Sequence, residues 1–114
     1  MVAPERLICE GSVLEDGGKG VRFEVRRGEA SEPAFAIRTR GKVFAYLNRC
    51  AHVPVQLDWE EGEFFDFRKL YLICATHGAT YEPHSGACIA GPCKGQRLVP
   101  VKVEEIDGKV YLID

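Results

Sequence analysis

The sequence predicts an all-β fold, and three observations support this prediction. Apolar and charged residues alternate from Val21 to Arg26, which is the period-two pattern of a strand with one buried face. Asp107-Gly108 separates two β-rich segments and is a pair typical of a two-residue hairpin turn. No stretch of convincing length places apolar residues at the spacing of an amphipathic helix. We therefore expect antiparallel β-sheets with many short strands and long loops.

Length and composition indicate a single packed domain spanning residues 1–114. The chain is 46% hydrophobic and 28% charged, as in ordinary globular proteins. Its formal net charge of -2 provides no broad cationic surface, so a nucleic acid partner is not expected. The N-terminus has no basic segment followed by an apolar one, and the longest apolar run, Leu70 to Ala75, is too short to span a bilayer. We expect a cytoplasmic protein without a membrane partner.

The N-terminal half contains four predicted strand regions. An apolar segment within Arg6 to Val13 predicts a short first strand, and Glu15 to Gly18 predicts a turn because adjacent glycines accept positive φ. The alternating strand described above follows. Ala34 to Thr39 and Val43 to Asn48 are β-rich and three residues apart, which predicts a hairpin. The second of these runs leads directly to Cys50.

The C-terminal half is more irregular. Leu57 to Phe67 mixes acidic and aromatic residues without a sustained period, so we expect an irregular insertion that could include one helical turn. Leu70 to Ile73 predicts a short strand that leads into Cys74. Gly78 to Gly95 is rich in glycine and proline, which indicates short extended pieces. The final hairpin then closes the chain.

Two short Cys–His pairs carry the chemistry of the chain. Cys50-x-His52 and Cys74-x-x-His77 each place a thiolate and an imidazole close together, with 21 residues between His52 and Cys74. Four such ligands suit tetrahedral zinc or an iron–sulfur cluster. Common zinc modules pair Cys with Cys and His with His, whereas both pairs here are mixed. Mixed pairs fit a two-iron cluster in which one iron takes both thiolates and the other takes both imidazoles.

The sequence around these pairs resembles the Rieske [2Fe–2S] family. C-x-H is preceded by Tyr46 to Arg49, and C-x-x-H-G is followed by Tyr81 to Gly86 and by Gly91-Pro92. The closest likeness is to small soluble Rieske-type ferredoxins, such as the ferredoxin components of ring-hydroxylating dioxygenases and the small subunit of assimilatory nitrite reductase. The resemblance implies a Rieske-type fold with two cluster-binding loops at one end.

The resemblance also implies the cofactor and its ligands. One [2Fe–2S] cluster would be bound by Cys50 and Cys74 at one iron and by His52 and His77 at the other. With such a cluster the protein would carry one electron between a reductase and an oxygenase or another oxidoreductase, and it would have no catalytic residues of its own. A redox or iron–sulfur sensor, or a structural metal-binding module such as a zinc site, is the alternative. The sequence is compatible with a monomer but does not decide the oligomeric state.

Departures from the family pattern indicate the branch. The quinol-oxidising Rieske proteins have a disulfide between the two ligand loops, and the matching positions here are Val55 and Thr76. A serine that donates to a cluster sulfide in those proteins corresponds to Ala79, whereas a tyrosine that donates to a cysteine sulfur is matched by Tyr81. Fewer donors stabilise the reduced cluster less, so we expect a reduction potential in the lower part of the family range.

The acidic insertion has two interpretations. Its five acidic side chains form either an ordinary solvated loop or a docking patch near the cluster for a basic redox partner. The solvated loop is the simpler interpretation. The five residues are Asp58, Glu60, Glu61, Glu63 and Asp66.

The remaining histidine and cysteines are not expected to be ligands. His84 is interpreted as a surface turn residue, and Cys9 as a small core residue in a strand. Cys88 and Cys93 could form a disulfide, but we favour thiols because an odd number of cysteines without an export signal indicates a reducing compartment.

Overall fold

The computed structural model describes residues 6–51, 55–58, 60–74, 78–92 and 94–113. In these ranges ten strands form three antiparallel sheets, no α-helix is present, and a single 3-10 turn lies at Gly11–Val13. The all-β prediction is confirmed. The strands are β1 (Arg6–Glu10), β2 (Val21–Arg27), β3 (Ala30–Thr39), β4 (Lys42–Leu47), β5 (Leu72–Ile73), β6 (Thr80–Tyr81), β7 (Cys88–Ala90), β8 (Pro100–Val101), β9 (Val103–Ile106) and β10 (Lys109–Leu112).

The three sheets differ in their position along the chain. The central sheet has the order β2-β3-β4-β8, a terminal sheet has the order β1-β10-β9, and a third sheet has the order β5-β6-β7. The terminal sheet joins the two ends of the described chain, and the third sheet consists of the segments around Cys74. The part of the chain that the structure describes has no helix with the length and apolar character needed to cross a bilayer.

Strand β3 is buried on both faces and therefore joins the two hydrophobic cores. Phe35 and Ile37 point into the core that also contains Cys50 and Cys74. The small residues Ala34 and Ala36 alternate with them and face the second core, which is formed with the terminal sheet. This alternation of large and small side chains places the central sheet between two packed layers.

The predicted hairpins are present. Asp107 and Gly108 have φ angles of 51° and 76°, and they connect β9 to β10. Arg40 and Gly41 have φ angles of 51° and 78° and connect β3 to β4. Positive φ at both central residues is the type I′ geometry, whose twist matches that of the flanking strands.

Two strand boundaries differ from the predictions by more than one residue. Strand β3 begins at Ala30, four residues before the predicted start, because its pairing with β2 continues through Pro33. Strand β5 contains only Leu72 and Ile73. The preceding Leu70 lies in a turn, where its N–H donates to the Asp66 carboxylate at 3.1 Å.

The insertion is irregular, as predicted, but it is more firmly packed than a solvated loop. Its described residues contain no helical turn. Leu57 and Phe64 are fully buried in the core that contains the two cysteines, and the ring of Phe64 stacks on that of Phe35 with centroids 4.0 Å apart. The side chain of Leu57 therefore packs in this core.

Candidate metal centre

Two of the four predicted ligands lie at strand ends beside one core. Cys50 follows β4 by three residues, and Cys74 directly follows β5. Both side chains are buried, with 3% and 0% exposure, in the same hydrophobic cluster. The fold therefore brings two distant cysteines together at one end of the central sheet.

The two ligand loops are closed by the same type of hydrogen bond. The N–H of Cys50 donates to the carbonyl of Val55 at 2.8 Å, and the N–H of Cys74 donates to the carbonyl of Ala79 at 2.8 Å. Each bond connects a cysteine to the residue five positions further along the chain. His52 and His77 fall between these closing residues in the sequence and lie outside the described residues, so their assignment as ligands stays a prediction.

Tyr81 contacts the first ligand loop from the third sheet. Its Oη lies 3.2 Å from Cys50 Sγ and accepts the N–H of Ala51 at 3.0 Å. A metal-bound thiolate has no proton to donate, so the tyrosine O–H is the donor to sulfur when Cys50 is a ligand. This arrangement matches the role that the resemblance assigned to Tyr81.

The second ligand loop packs against the Gly91-Pro92 turn. A Cβ added to Gly91 would lie 2.9 Å from the Cα of Ala79, and Gly91 has a φ of 97°. Only glycine satisfies both conditions without strain. Gly78 also has a positive φ of 74°, and its N–H donates to the Cys74 carbonyl at 2.8 Å. Gly91 therefore allows the turn to cover the loop closely.

The described residues fit an iron–sulfur group. Thiolate is a soft ligand suited to iron–sulfur clusters, and the two cysteines provide it from a buried, largely apolar site. The Tyr81 O–H supplies a hydrogen bond to a ligand sulfur, which is the kind of contact that tunes such sites. No group of three or more His, Cys, Asp or Glu side chains suited to a metal occurs among the described residues, a set that does not contain the two histidines.

One of the five acidic side chains of the insertion is buried and does not contribute to an acidic surface. Asp58 is 3% exposed and its carboxylate accepts from Arg22 Nε at 2.8 Å, so it belongs to the interior. The carbonyl of Gly62 accepts the N–H of Gly20 at 2.8 Å, and Glu63 lies 3.7 Å from Lys19. The tip of the insertion therefore bonds to the start of β2, and the carbonyl of the next residue after Glu63, Phe64, accepts the N–H of Ile73 at 2.9 Å.

Sequence reasoning missed the importance of Asn48. This side chain is 1% exposed and bonds to both Leu57 and Asp58. Its position two residues before Cys50 was the only local signal, because the partners that make it important are nine and ten residues away.

The other predicted non-ligands are found as follows. His84 is exposed in a turn, with Nε2 3.0 Å from the Glu82 carboxylate, which confirms its surface position. Cys9 lies in β1, is in no disulfide, and packs against the second core, where burial raises the pKa of its thiol. Cys88 is buried on β7, whereas Cys93 lies outside the described residues, so the prediction of two thiols stays untested.

Solved structures share this fold over their full length. The ferredoxin of Sphingomonas yanoikuyae B1 superposes with a TM-score of 0.69 at 24% identity, covering 98% of this chain and 99% of that one. The carbazole 1,9a-dioxygenase ferredoxin of Nocardioides aromaticivorans IC177 gives a TM-score of 0.69 at 20% identity, with 96% of each chain covered. At such identities the likeness establishes the fold.

A larger protein contains a similar unit. The terminal oxygenase of carbazole 1,9a-dioxygenase from Novosphingobium sp. KA1 gives a TM-score of 0.73 at 23% identity, with 97% of this chain covered but only 29% of that chain. No curated protein matches the sequence.

Nearly the whole chain matches one family. The Rieske [2Fe-2S] domain matches residues 7–107, which include all four predicted ligands and the packed loop at Gly91-Pro92. The cofactor is therefore one Rieske-type [2Fe–2S] cluster, a centre that transfers electrons singly, as the paired Cys–His motifs predicted. The chain belongs to the Rieske [2Fe-2S] domain family.

Proposed function

We propose that this chain is an electron carrier that delivers electrons from a reductase to an oxygenase. It does so as one domain, with the cluster bound by Cys50, His52, Cys74 and His77. The observation that supports this most strongly is the pair of equivalently closed loops, each beginning at a buried cysteine of the same core. The two histidines are assigned from the sequence motif.

The protein residues give the site its electronic environment. When bound, the cluster supplies a one-electron redox couple. Cys50 and Cys74 hold it at the buried side, and Tyr81 donates a hydrogen bond to the Cys50 sulfur. Apolar side chains of the surrounding core, including Leu57 and Leu72, exclude water from the cysteine side. With the cluster held in this way, an electron would enter and leave at the side of the ligand loops.

The choice of an oxygenase as acceptor rests on the similar structures. One of them is the complex of reduced oxygenase and oxidized ferredoxin in carbazole 1,9a-dioxygenase, which gives a TM-score of 0.71 at 22% identity and covers 94% of this chain and 90% of the matched one. The same architecture in the present chain supports a ferredoxin role beside an oxygenase. We place the protein in the cytoplasm. The thiolate ligands of an iron–sulfur cluster and Cys9, which lies on β1 and is in no disulfide, both suit a reducing compartment.

The ligand assignment is tested on the purified protein. We expect a red-brown protein with iron and sulfide at two each per chain and a Rieske-type EPR signal after reduction. Replacing the outer imidazole in His77→Cys should lower the potential of any surviving cluster, because an added thiolate makes the centre more negative. A colourless protein with one zinc per chain would show that the four residues form a structural site instead.

The carrier role is tested by turnover. Reduced protein mixed with a ring-hydroxylating oxygenase should be reoxidised within the time of one catalytic cycle, and a flavin-containing reductase should reduce it again. A sensor would hold the same cluster but would not sustain product formation in such a reconstituted chain. Stopped-flow absorbance of the cluster distinguishes the two roles directly.

A further inference from the structure

Three polar side chains form a network at the base of the first ligand loop. Asn48 and Asp58 are 1% and 3% exposed, and Arg22 reaches them from β2. Buried polar groups are costly unless they are hydrogen-bonded. Here the network that satisfies them also connects the two sides of the loop that begins at Cys50.

Asn48 closes the base of that loop. Its side-chain Oδ1 accepts the N–H of Leu57 at 2.9 Å, and its Nδ2 donates to Asp58 Oδ1 at 3.0 Å. Its own backbone N–H donates to the carbonyl of Pro33 on β3 at 2.8 Å. The Asn48–Leu57 bond therefore encloses the Cys50–Val55 bond and attaches both to the central sheet.

Asp58 connects this base to two further elements. Its Oδ2 accepts from Arg22 Nε at 2.8 Å and from the N–H of Gly62 at 2.9 Å, and its carbonyl accepts from Arg22 Nη2 at 3.2 Å. The ion pair has one fully buried carboxylate, and the same contact raises the pKa of Arg22. The carboxylate thus holds the returning limb of the first ligand loop, the acidic insertion and β2 together.

The location of these bonds gives the network a role beyond general stability. The second ligand loop is attached to the third sheet, through Cys74 after β5 and Ala79 before β6. The first loop has no strand on its returning side, because residues 55–58 belong to no strand. Apart from the backbone bond between Cys50 and Val55, the bonds described for that limb all involve a side chain of the network, so its placement depends on them.

We propose that the Asn48–Asp58–Arg22 network is a positioning device that sets the placement of the first ligand loop and thereby the electronic properties of the metal centre. This inference rests on the proposed function in one respect, namely that Cys50 and His52 are ligands. Asn48 and Asp58 act through the placement of the loop and are not themselves ligands.

The hydrogen-bond pattern offers a sharp test by exchange of the two side chains. In Asp58→Asn the new amide N–H group faces another donor, which is either Asn48 Nδ2 or the N–H groups of Arg22 and Gly62. In Asn48→Asp two carboxylates face each other. In the double variant N48D/D58N, the aspartate accepts from Leu57 and from the new asparagine amide, whose carbonyl accepts from Arg22 and Gly62. The double variant therefore restores every hydrogen bond of the network and keeps the net charge constant, with the carboxylate moved from position 58 to position 48.

We expect both single variants to shift the midpoint potential in the same direction, by about tenfold in the reduction equilibrium or about 59 mV for one electron. Their EPR signals should broaden, and amide exchange in the 48–58 peptide should accelerate. The double variant should restore all three properties. An effect of charge alone would shift the single variants in opposite directions, because one removes a negative charge and the other adds one.

Glu63→Gln is the matched control, because it removes a carboxylate from the same insertion at an exposed position and should leave potential and EPR unchanged. Single variants that unfold more easily but keep the wild-type potential and EPR would overturn the inference. If neither single variant retains the cluster, the double variant decides: a folded double variant with a shifted potential overturns it. A wild-type protein without a cluster would refute the proposed function instead.

Discussion

At the scale of single residues, Tyr81 is the clearest determinant of cluster chemistry. Its O–H lies 3.2 Å from Cys50 Sγ. Tyr81→Phe should lower the reduction potential by about 40–60 mV, because a hydrogen bond worth about 1 kcal/mol no longer stabilises the added electron. Protein-film voltammetry measures the shift. Tyr111→Phe on β10 is the control, and an equal shift there would contradict the assignment.

The residue type at position 79, an alanine, indicates where the reduction potential of the wild-type protein lies within the family range. This residue is fully buried in the core that contains the cysteines and has no hydroxyl to donate to the cluster. We expect a potential in the lower part of the family range of about −150 to +300 mV. A voltammetric value above about +200 mV would contradict the prediction.

Tyr46 links the central sheet to the turn after Tyr81. Its O–H donates to the Pro83 carbonyl at 2.7 Å, and burial raises the pKa of Tyr46 to about 12. The folded pKa of Tyr46 lies above the unfolded value of about 10. The stability that its hydroxyl contributes is therefore complete below pH 10 and is lost as the pH rises towards 12. Tyr46→Phe should lower the free energy of unfolding at pH 7 by about 1–2 kcal/mol.

Urea unfolding at several pH values tests the Tyr46 prediction. The stability difference between wild type and variant should shrink between pH 10 and pH 12, where the wild-type hydroxyl ionises. A difference that stayed constant across that interval would show that the hydroxyl does not contribute as proposed.

At the scale of elements, an ion pair joins the central sheet to the terminal sheet. Arg38 on β3 donates two hydrogen bonds to the Glu105 carboxylate on β9, at 2.6 and 2.9 Å. The same guanidinium donates to the carbonyls of Leu14 and Gly11. The two bonds from Arg38 to Glu105 hold the pKa of the Glu105 carboxyl below its ordinary value. The terminal sheet therefore depends partly on one arginine.

Glu105→Gln should lower the free energy of unfolding at pH 7 by about 0.5–1 kcal/mol, a value limited by partial exposure of the pair. Since the folded pKa of Glu105 is depressed, its contribution is present above the unfolded pKa and is lost as the pH falls through the folded pKa. Thermal unfolding should show a difference at pH 7 that shrinks as the pH falls below the ordinary pKa of a glutamate carboxyl. Glu104→Gln on the same strand should show no such difference.

At the scale of the whole molecule, the acidic insertion packs its apolar residues into the core of the cysteines, while Glu60 and Glu63 are exposed. The tip of the insertion bonds to Gly20 at the start of β2, and the charge of Glu63 is partly balanced by Lys19 at 3.7 Å. Reversing the charges of Glu60, Glu61 and Glu63 to lysine should therefore leave the rate of electron transfer to the oxygenase, and its salt dependence, unchanged. Stopped-flow measurements at several salt concentrations provide the test.

Arg49→Glu is the companion variant to the charge reversal. Arg49 directly precedes Cys50 and is partly exposed in an ion pair with Glu32. We expect this variant to change the rate and its salt dependence, because charge near the exchange site affects the encounter of two proteins. An effect of the insertion variant comparable to that of Arg49→Glu would support the docking interpretation of the acidic segment.

Features that depend on neighbouring residues could be predicted from the sequence. The alternation in β2 and the Asp107-Gly108 hairpin are local patterns, and both are present in the structure. The prediction that a strand starts at Leu70 was wrong, because a turn in which Asp66 accepts the Leu70 N–H replaces the first part of the apolar run. The buried position of Asp58 could not be predicted, because its partner Arg22 is 36 residues away.

By itself, the sequence determined the β class of the fold, the family and the chemistry of the cofactor, because strand periodicity and the two Cys–His pairs are encoded within a few residues. Only the tertiary structure decided which surroundings those pairs receive. Tyr81 reaches Cys50, Asn48 meets Asp58, and β3 is buried on both faces. Each of these contacts joins segments that approach one another only after the sheets have packed.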